Sequence, residues 1–129
     1  MALPIFVYGT LKRSTRRSPH ALMRNAHFVD AASISGRLYD LGRYPGVYRE
    51  APAGTRVFGE LYAFPEAMTE RSLKSLDRYE GPEFIRKRVY VTLRDGRRRA
   101  AWTYLLRNRP GADARPLDSG RYRSKRGVA

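Results

Sequence analysis

The segment from Pro65 to Gly81-Pro82 limits the fold more than any other feature of this sequence, because it is the one firm helix. Proline suits a first helical turn, Glu66 complements the positive end of the helix dipole, and a Gly-Pro pair stops the helix. Its buried stripe carries Leu73 and Leu76, and a helix this amphipathic needs an apolar partner surface. The rest of the chain supplies that surface as strands.

Ile5-Phe6-Val7 is a short apolar run that stops at Gly9, as a buried strand would. From Phe28 to Leu41 the pattern reads as one bent strand or two short ones broken near Gly36. Tyr44-Pro45-Gly46-Val47 predicts a tight turn, because adjacent proline and glycine set the two dihedrals such a turn needs. Val57 to Tyr62 is a further strand in which Gly59 marks a bulge or a close backbone approach. Val89, Val91 and Leu93 alternate with polar residues, Asp95-Gly96 is a hairpin signal, and Ala101 to Leu106 returns. A short helix is expected near Pro19 to Met23. The fold class is therefore α+β: a small, mostly antiparallel or mixed β-barrel flanked by one firm helix and one short helix. Residues 1–107 read as a single domain, and residues 108–129 as an irregular basic tail.

Two stretches are candidates for chemistry. Tyr8-Gly9-Thr10-Leu11 follows a buried strand, so it is either an ordinary strand-to-loop turn or a loop whose amides face a cavity and bind a carboxylate or carbonyl oxygen. Glu80 lies seven residues after Leu73 and four after Leu76, which puts a carboxylate on the face the leucines bury. If it stays there, burial raises its proton affinity toward the range a general acid/base needs. The competing reading is that Glu80, in the last turn, swings out to solvent or pairs with Arg86 or Arg88. Glu83, past Gly81-Pro82, is expected to face solvent.

Composition excludes several classes. The chain has no cysteine, which removes disulfides, thiol nucleophiles and Cys-based zinc sites, and His20 and His27 have no companions that would make a metal cluster. No apolar stretch approaches the length of a membrane span, so the expectation is a soluble, cytoplasmic protein with no membrane partner. The net charge is +14, and residues 84–129 hold 14 Lys or Arg against three Asp, leaving +11 there. With Tyr90, Trp102, Tyr104 and Tyr122 among those charges, a nucleic-acid-binding module is the rival to an enzyme; a compositional arginine bias on solvated surfaces is the plainer reading.

Ile5-Phe6-Val7-Tyr8-Gly9-Thr10-Leu11-Lys12, Gly59-Glu60-Leu61-Tyr62, Leu76-Asp77-Arg78-Tyr79-Glu80-Gly81 and the closing strand with Trp102 and Tyr104 resemble, in the same order, the γ-glutamylcyclotransferase superfamily. The γ-glutamylamine cyclotransferase and AIG2-like branch is the nearest in pattern, from Ile5 to Tyr104, with Ser119-Gly120 extending it. The resemblance implies a cofactor-free and metal-free enzyme that releases 5-oxoproline from a small-molecule γ-glutamyl compound. It assigns acid/base catalysis to Glu80 and substrate binding to Tyr8, Gly9, Thr10 and Leu11. It also leaves a catalytically silent AIG2-like binding protein as an alternative, and fixes no oligomeric state. One departure stands out: relatives often carry a tyrosine where this chain has Ile85, so Tyr79, Tyr90 or Tyr122 takes its place or the substrate differs.

Overall fold

The computed structural model describes residues 2–9, 11–12 and 20–122. In chain order the elements are β1 (Ile5–Val7), a 3-10 turn (Ala21–Met23), β2 (His27–Ser35), β3 (Arg37–Asp40), β4 (Pro45–Tyr48) and β5 (Arg56–Ala63). They continue with α1 (Glu66–Glu80), β6 (Phe84–Leu93), β7 (Arg98–Leu106) and β8 (Arg115–Pro116). Five strands close a barrel in the order β1-β5-β2-β6-β7, and β4-β3-β8 form a smaller sheet. The three-residue β1 is the closing stave, antiparallel to β5 and parallel to β7, so the barrel is mixed. Among the described residues no helix is long and apolar enough to cross a membrane.

The period-2 alternation of strands explains how the chain builds two cores. On β1, Phe6 joins Val57, Leu61, Val89, Val91, Ala101 and Leu105 in one buried cluster. Ile5 and Val7, pointing the other way, join Leu73 and Leu76 of α1 with Tyr62, Tyr104 and Leu106. The leucine stripe of α1 thus packs on the outside of the barrel wall. Thr103, fully buried, donates its hydroxyl to the Phe6 carbonyl at 2.9 Å, so this polar side chain at the β1–β7 seam is satisfied.

The sequence expectations hold for the helix, the Asp95-Gly96 hairpin and the break at Gly36, where φ is 146°. Two local readings are corrected, and of the two alternatives for Gly59 one holds. The reversal falls earlier than Tyr44-Pro45-Gly46-Val47, closed by Leu41 N–H donating to the Tyr44 carbonyl at 3.0 Å, and Pro45–Tyr48 is strand β4. Gly46 serves close packing there, since a Cβ at Gly46 would meet Leu106 side-chain atoms at 2.8–2.9 Å. Gly59 is a close approach and not a bulge: a Cβ on it would lie 2.3 Å from the Val7 carbonyl oxygen, and the register shift sits in β2 between Phe28 and Asp30. Finally, the segment after 108 is not all irregular. β8 pairs with β3, Leu117 N–H donates to the Leu38 carbonyl, the Phe58 N–H donates to the Gly120 carbonyl, and Tyr122 is buried in the cluster of Phe6 and Leu61.

Candidate active site

A cavity of about 280 Å³ opens where the end of β1, the start of β4, the end of α1 and the start of β6 meet. Val7, Tyr8, Gly9 and Leu11 form one side, Tyr44 and Pro45 a second, and Tyr79, Glu80, Phe84 and Tyr104 the rest. The loop after β1 therefore reaches the cavity, as the strand-then-glycine pattern allows. It turns tightly, with Lys12 N–H donating to the Gly9 carbonyl at 3.1 Å. Gly9 packs flat on the β4 wall, where a Cβ would come within 2.8 Å of Pro45 Cγ. Thr10, the remaining residue of that motif, lies outside the described residues.

Glu80 sits at the C-terminal end of α1, in the wall of this cavity. Its carboxylate has no hydrogen bond or ion pair to any described residue, and burial pushes its pKa up to about 7. The alternative pairing fails because both cations are used elsewhere. Arg86 makes a two-pronged pair with Asp77, Nε to Oδ1 at 2.8 Å and Nη2 to Oδ2 at 3.2 Å, and Arg88 lies over Tyr90. The helix thus divides its two acids: Asp77 turns to Arg86, while Glu80, three residues on, borders the cavity.

Asp77 also accepts the Tyr104 hydroxyl at 2.6 Å, and the Arg86 guanidinium lies 4.5 Å from the Trp102 ring centre. Burial alone would raise the Asp77 pKa, but the bonds from Arg86 and Tyr104 outweigh it and hold the carboxyl below its usual value. Tyr104 in turn is pushed well up by burial and by Asp77, so it stays a protonated donor. Tyr8, raised by burial and then by the charge of Glu80, donates to the Tyr104 main-chain carbonyl at 2.7 Å. Its ring lines the cavity while its hydroxyl ties β1 to β7.

Of the three tyrosines considered in place of the missing one at Ile85, only Tyr79 borders the cavity; Tyr90 is exposed on the barrel wall and Tyr122 is in the core. Sequence reasoning missed Tyr44, which lies 41 residues from the Ile85 position and reaches the site through β4. Tyr44 donates to Glu83, a contact that raises its pKa. Glu83 is exposed as expected, yet it holds a cavity wall in place. His20 caps the 3-10 turn by accepting Leu22 N–H at 3.1 Å and meets Tyr79 edge-on at 4.9 Å. Among the described residues no group of three His, Cys, Asp or Glu could hold a metal ion.

Residues 5–124 match the family described as Gamma-glutamyl cyclotransferase, AIG2-like. The chain belongs to that family. Its fold is similar to that of YkqA from Bacillus subtilis, with a TM-score of 0.72 and 23% identity over 95% of this chain and 40% of that one. The chain thus spans well under half of that relative's length. The protein ytfP from Escherichia coli is similar at TM-score 0.62 and 31% identity over 93% and 96% of the two chains. An AIG2-like protein from Mus musculus is similar at TM-score 0.64 and 22% identity over 84% and 79%. No curated protein matches the chain. Within the AIG2-like family pattern, the Leu-Asp-x-x-Glu-Gly motif now has a spatial meaning in this chain. Leu76 anchors the helix, Asp77 holds Tyr104 and Arg86, Glu80 borders the cavity, and Gly81, at φ 77°, ends the helix and donates its N–H to the Asp77 carbonyl at 3.2 Å.

Proposed function

We propose that the cavity takes the glutamyl part of a small γ-glutamyl compound and that the protein converts it to 5-oxoproline and a free amine. The observation that carries this reading is Glu80: a carboxylate in a cavity wall, without a partner among the described residues, whose pKa burial brings to about 7. In the proposed reaction the substrate's α-ammonium gives a proton to Glu80, and the freed amine attacks the γ-carbonyl carbon of the same molecule. The new C–N bond closes a five-membered lactam, the ring nitrogen gives up its second proton as the old C–N bond breaks, and both protons reach the departing amine by way of Glu80, so that it leaves as an ammonium. Ring closure inside one molecule already has a high effective concentration, so the protein's work is to hold the folded rotamer and carry the proton. Amides of Gly9, Thr10 and Leu11 hold the glutamyl oxygens in this scheme.

A cavity of about 280 Å³ is at the small end for ligand sites, which suits a glutamyl group better than a whole dipeptide. The leaving amine would then extend past Tyr44 and Tyr79, both partly exposed at the rim. The test is to incubate the protein with a panel of γ-glutamyl amino acids and γ-glutamylamines and to quantify 5-oxoproline and free amine. Release of the two in equal amounts from at least one compound is expected. Saturable binding of a γ-glutamyl compound with no product from any of them would support the catalytically silent AIG2-like binding protein instead.

A further inference from the structure

The outer face of the β6–β7 hairpin, away from the cavity and toward the Asp95-Gly96 turn, carries an arrangement the cyclotransferase chemistry does not use. By strand alternation Arg88, Tyr90 and Thr92 of β6 share a face with Arg98, Ala100 and Trp102 of β7, in register as Arg88 opposite Trp102, Tyr90 opposite Ala100 and Thr92 opposite Arg98. Tyr90 is 52% exposed, so its ring is open to an approaching flat group. The guanidinium carbons of Arg88 and Arg98 lie 5.3 and 5.2 Å from its ring centre. The small Ala100 opposite leaves the ring uncrowded. Arg86 over Trp102 continues the pattern at one end, and Arg56, bonded to Thr92 Oγ1 at 3.0 Å, continues it at the other.

The charge on this hairpin is one-sided. Between Arg86 and Arg99 there are seven Lys or Arg and the single acid Asp95. Arg86 is neutralised by Asp77 and Arg97 by Asp95. Arg88 and Arg98 on this face, and Arg94 at its turn, have no ion pair among the described residues. Several positive charges held apart on a rigid sheet with exposed flat groups match a chain of phosphates that also carries flat bases. Guanidinium planes and tyrosine rings both stack on bases, and stacking does not depend on sequence.

We propose that this face binds single-stranded nucleic acid without sequence preference, with Tyr90 and its two flanking arginines as the stacking platform. An anionic membrane would also be drawn to the charge but offers no planar groups to an aromatic-guanidinium stack, and an acidic protein does not repeat a charge and a flat ring at every unit as a nucleic-acid strand does.

The experiment is fluorescence anisotropy of a labelled oligothymidylate and a labelled oligouridylate titrated with the full chain, repeated over a range of salt. Tyr90→Ala, the Arg88→Ala/Arg98→Ala pair, heparin and anionic vesicles are compared. Binding that weakens steeply with salt is expected, with a loss of about 5- to 150-fold in Tyr90→Ala, the range for removing one stacked base. The arginine pair should lose affinity and also show a shallower salt slope. Release of 5-oxoproline and thermal stability should be unchanged in these variants, which separates this face from the cavity. The proposal is overturned if no oligonucleotide binds at low salt. It is equally overturned if Tyr90→Ala binds like wild type, or if heparin or vesicles bind as tightly as the oligonucleotides and are no less sensitive to Tyr90→Ala.

Discussion

Replacing Tyr122 by alanine should destabilise the whole domain, although the sequence places this residue in a basic tail. Its ring is only 7% exposed and is packed in the cluster with Phe6, Leu61 and Val91. Removing a buried aromatic ring costs about 3–5 kcal/mol, from lost burial and the cavity left behind. Nearby chain contacts depend on the same docking: Lys12 Nζ donates to the Tyr122 carbonyl at 3.3 Å, and Gly120 is held so close to the Arg56 carbonyl that a Cβ would come within 2.2 Å. Against a total stability of about 5–15 kcal/mol, this is a large fraction. For a domain of this size about 1 kcal/mol moves the melting temperature by about 3–6 °C, so the drop should be on the order of 10–30 °C. Circular-dichroism melts of wild type, Tyr122→Ala and the surface control Asp118→Ala would measure it. The control removes an exposed pair with Arg37 at 3.4 Å and should shift stability by less than about 0.5 kcal/mol. A fall of less than about 3 °C for Tyr122→Ala would refute the account, and would restore the picture of a tail that only tunes solubility.

Glu80→Gln should stabilise the fold at high pH. The unfolded carboxyl releases its proton near 4.5 and the folded one near 7, so stability is full below about pH 4.5 and falls as pH rises through 7. Glutamine escapes this loss, so urea unfolding should show a gain of up to about 3 kcal/mol at pH 8 that vanishes by pH 4 to 5; no pH-dependent difference would mean the carboxyl is not buried. Gly59→Ala should cost about 1–3 kcal/mol or more in denaturant unfolding, because the Cβ meets backbone, the Val7 carbonyl oxygen at 2.3 Å, and not a side chain that can move. Tyr104→Phe removes the 2.6 Å bond to Asp77 and should raise the Asp77 pKa, readable by carboxyl NMR titration, with a stability loss of about 1–3 kcal/mol.

The parts of this molecule that local sequence rules govern were the legible ones. Pro65, Glu66 and Gly81-Pro82 bound α1 closely, and Asp95-Gly96 set the hairpin register, because caps and turns depend on neighbours in the chain. Glu80 could be placed on the buried face from Leu73 and Leu76 by helix geometry alone. What spacing could not decide was its partner, since that depended on Asp77 capturing Arg86 from a strand nine residues away. Tyr44 and Pro45 were read as turn residues because proline and glycine dominate local preference, whereas pairing with β3 makes Pro45–Tyr48 a strand and brings that wall to Gly9. The core role of Tyr122 is hidden for the same reason: a polar, proline- and glycine-rich segment gives no local sign that one ring in it fills a gap in a distant core.

The central claim, that Glu80 carries the proton in 5-oxoproline formation, is tested most directly by comparing wild type, Glu80→Gln and Glu70→Gln on a γ-glutamyl compound the wild type turns over. Glu70 is the better control than Glu83, because it lies on the exposed side of α1 with Lys74 at 3.8 Å, while Glu83 receives the Tyr44 hydroxyl at the cavity. General acid/base catalysis contributes about 10²- to 10⁴-fold, so Glu80→Gln should lose at least about a hundredfold in kcat while its substrate Kd, read by calorimetry, stays within a few-fold of wild type. Glu70→Gln should match wild type in both. A Glu80→Gln variant that keeps most of its turnover, or a Glu70→Gln variant that loses as much, would contradict the assignment.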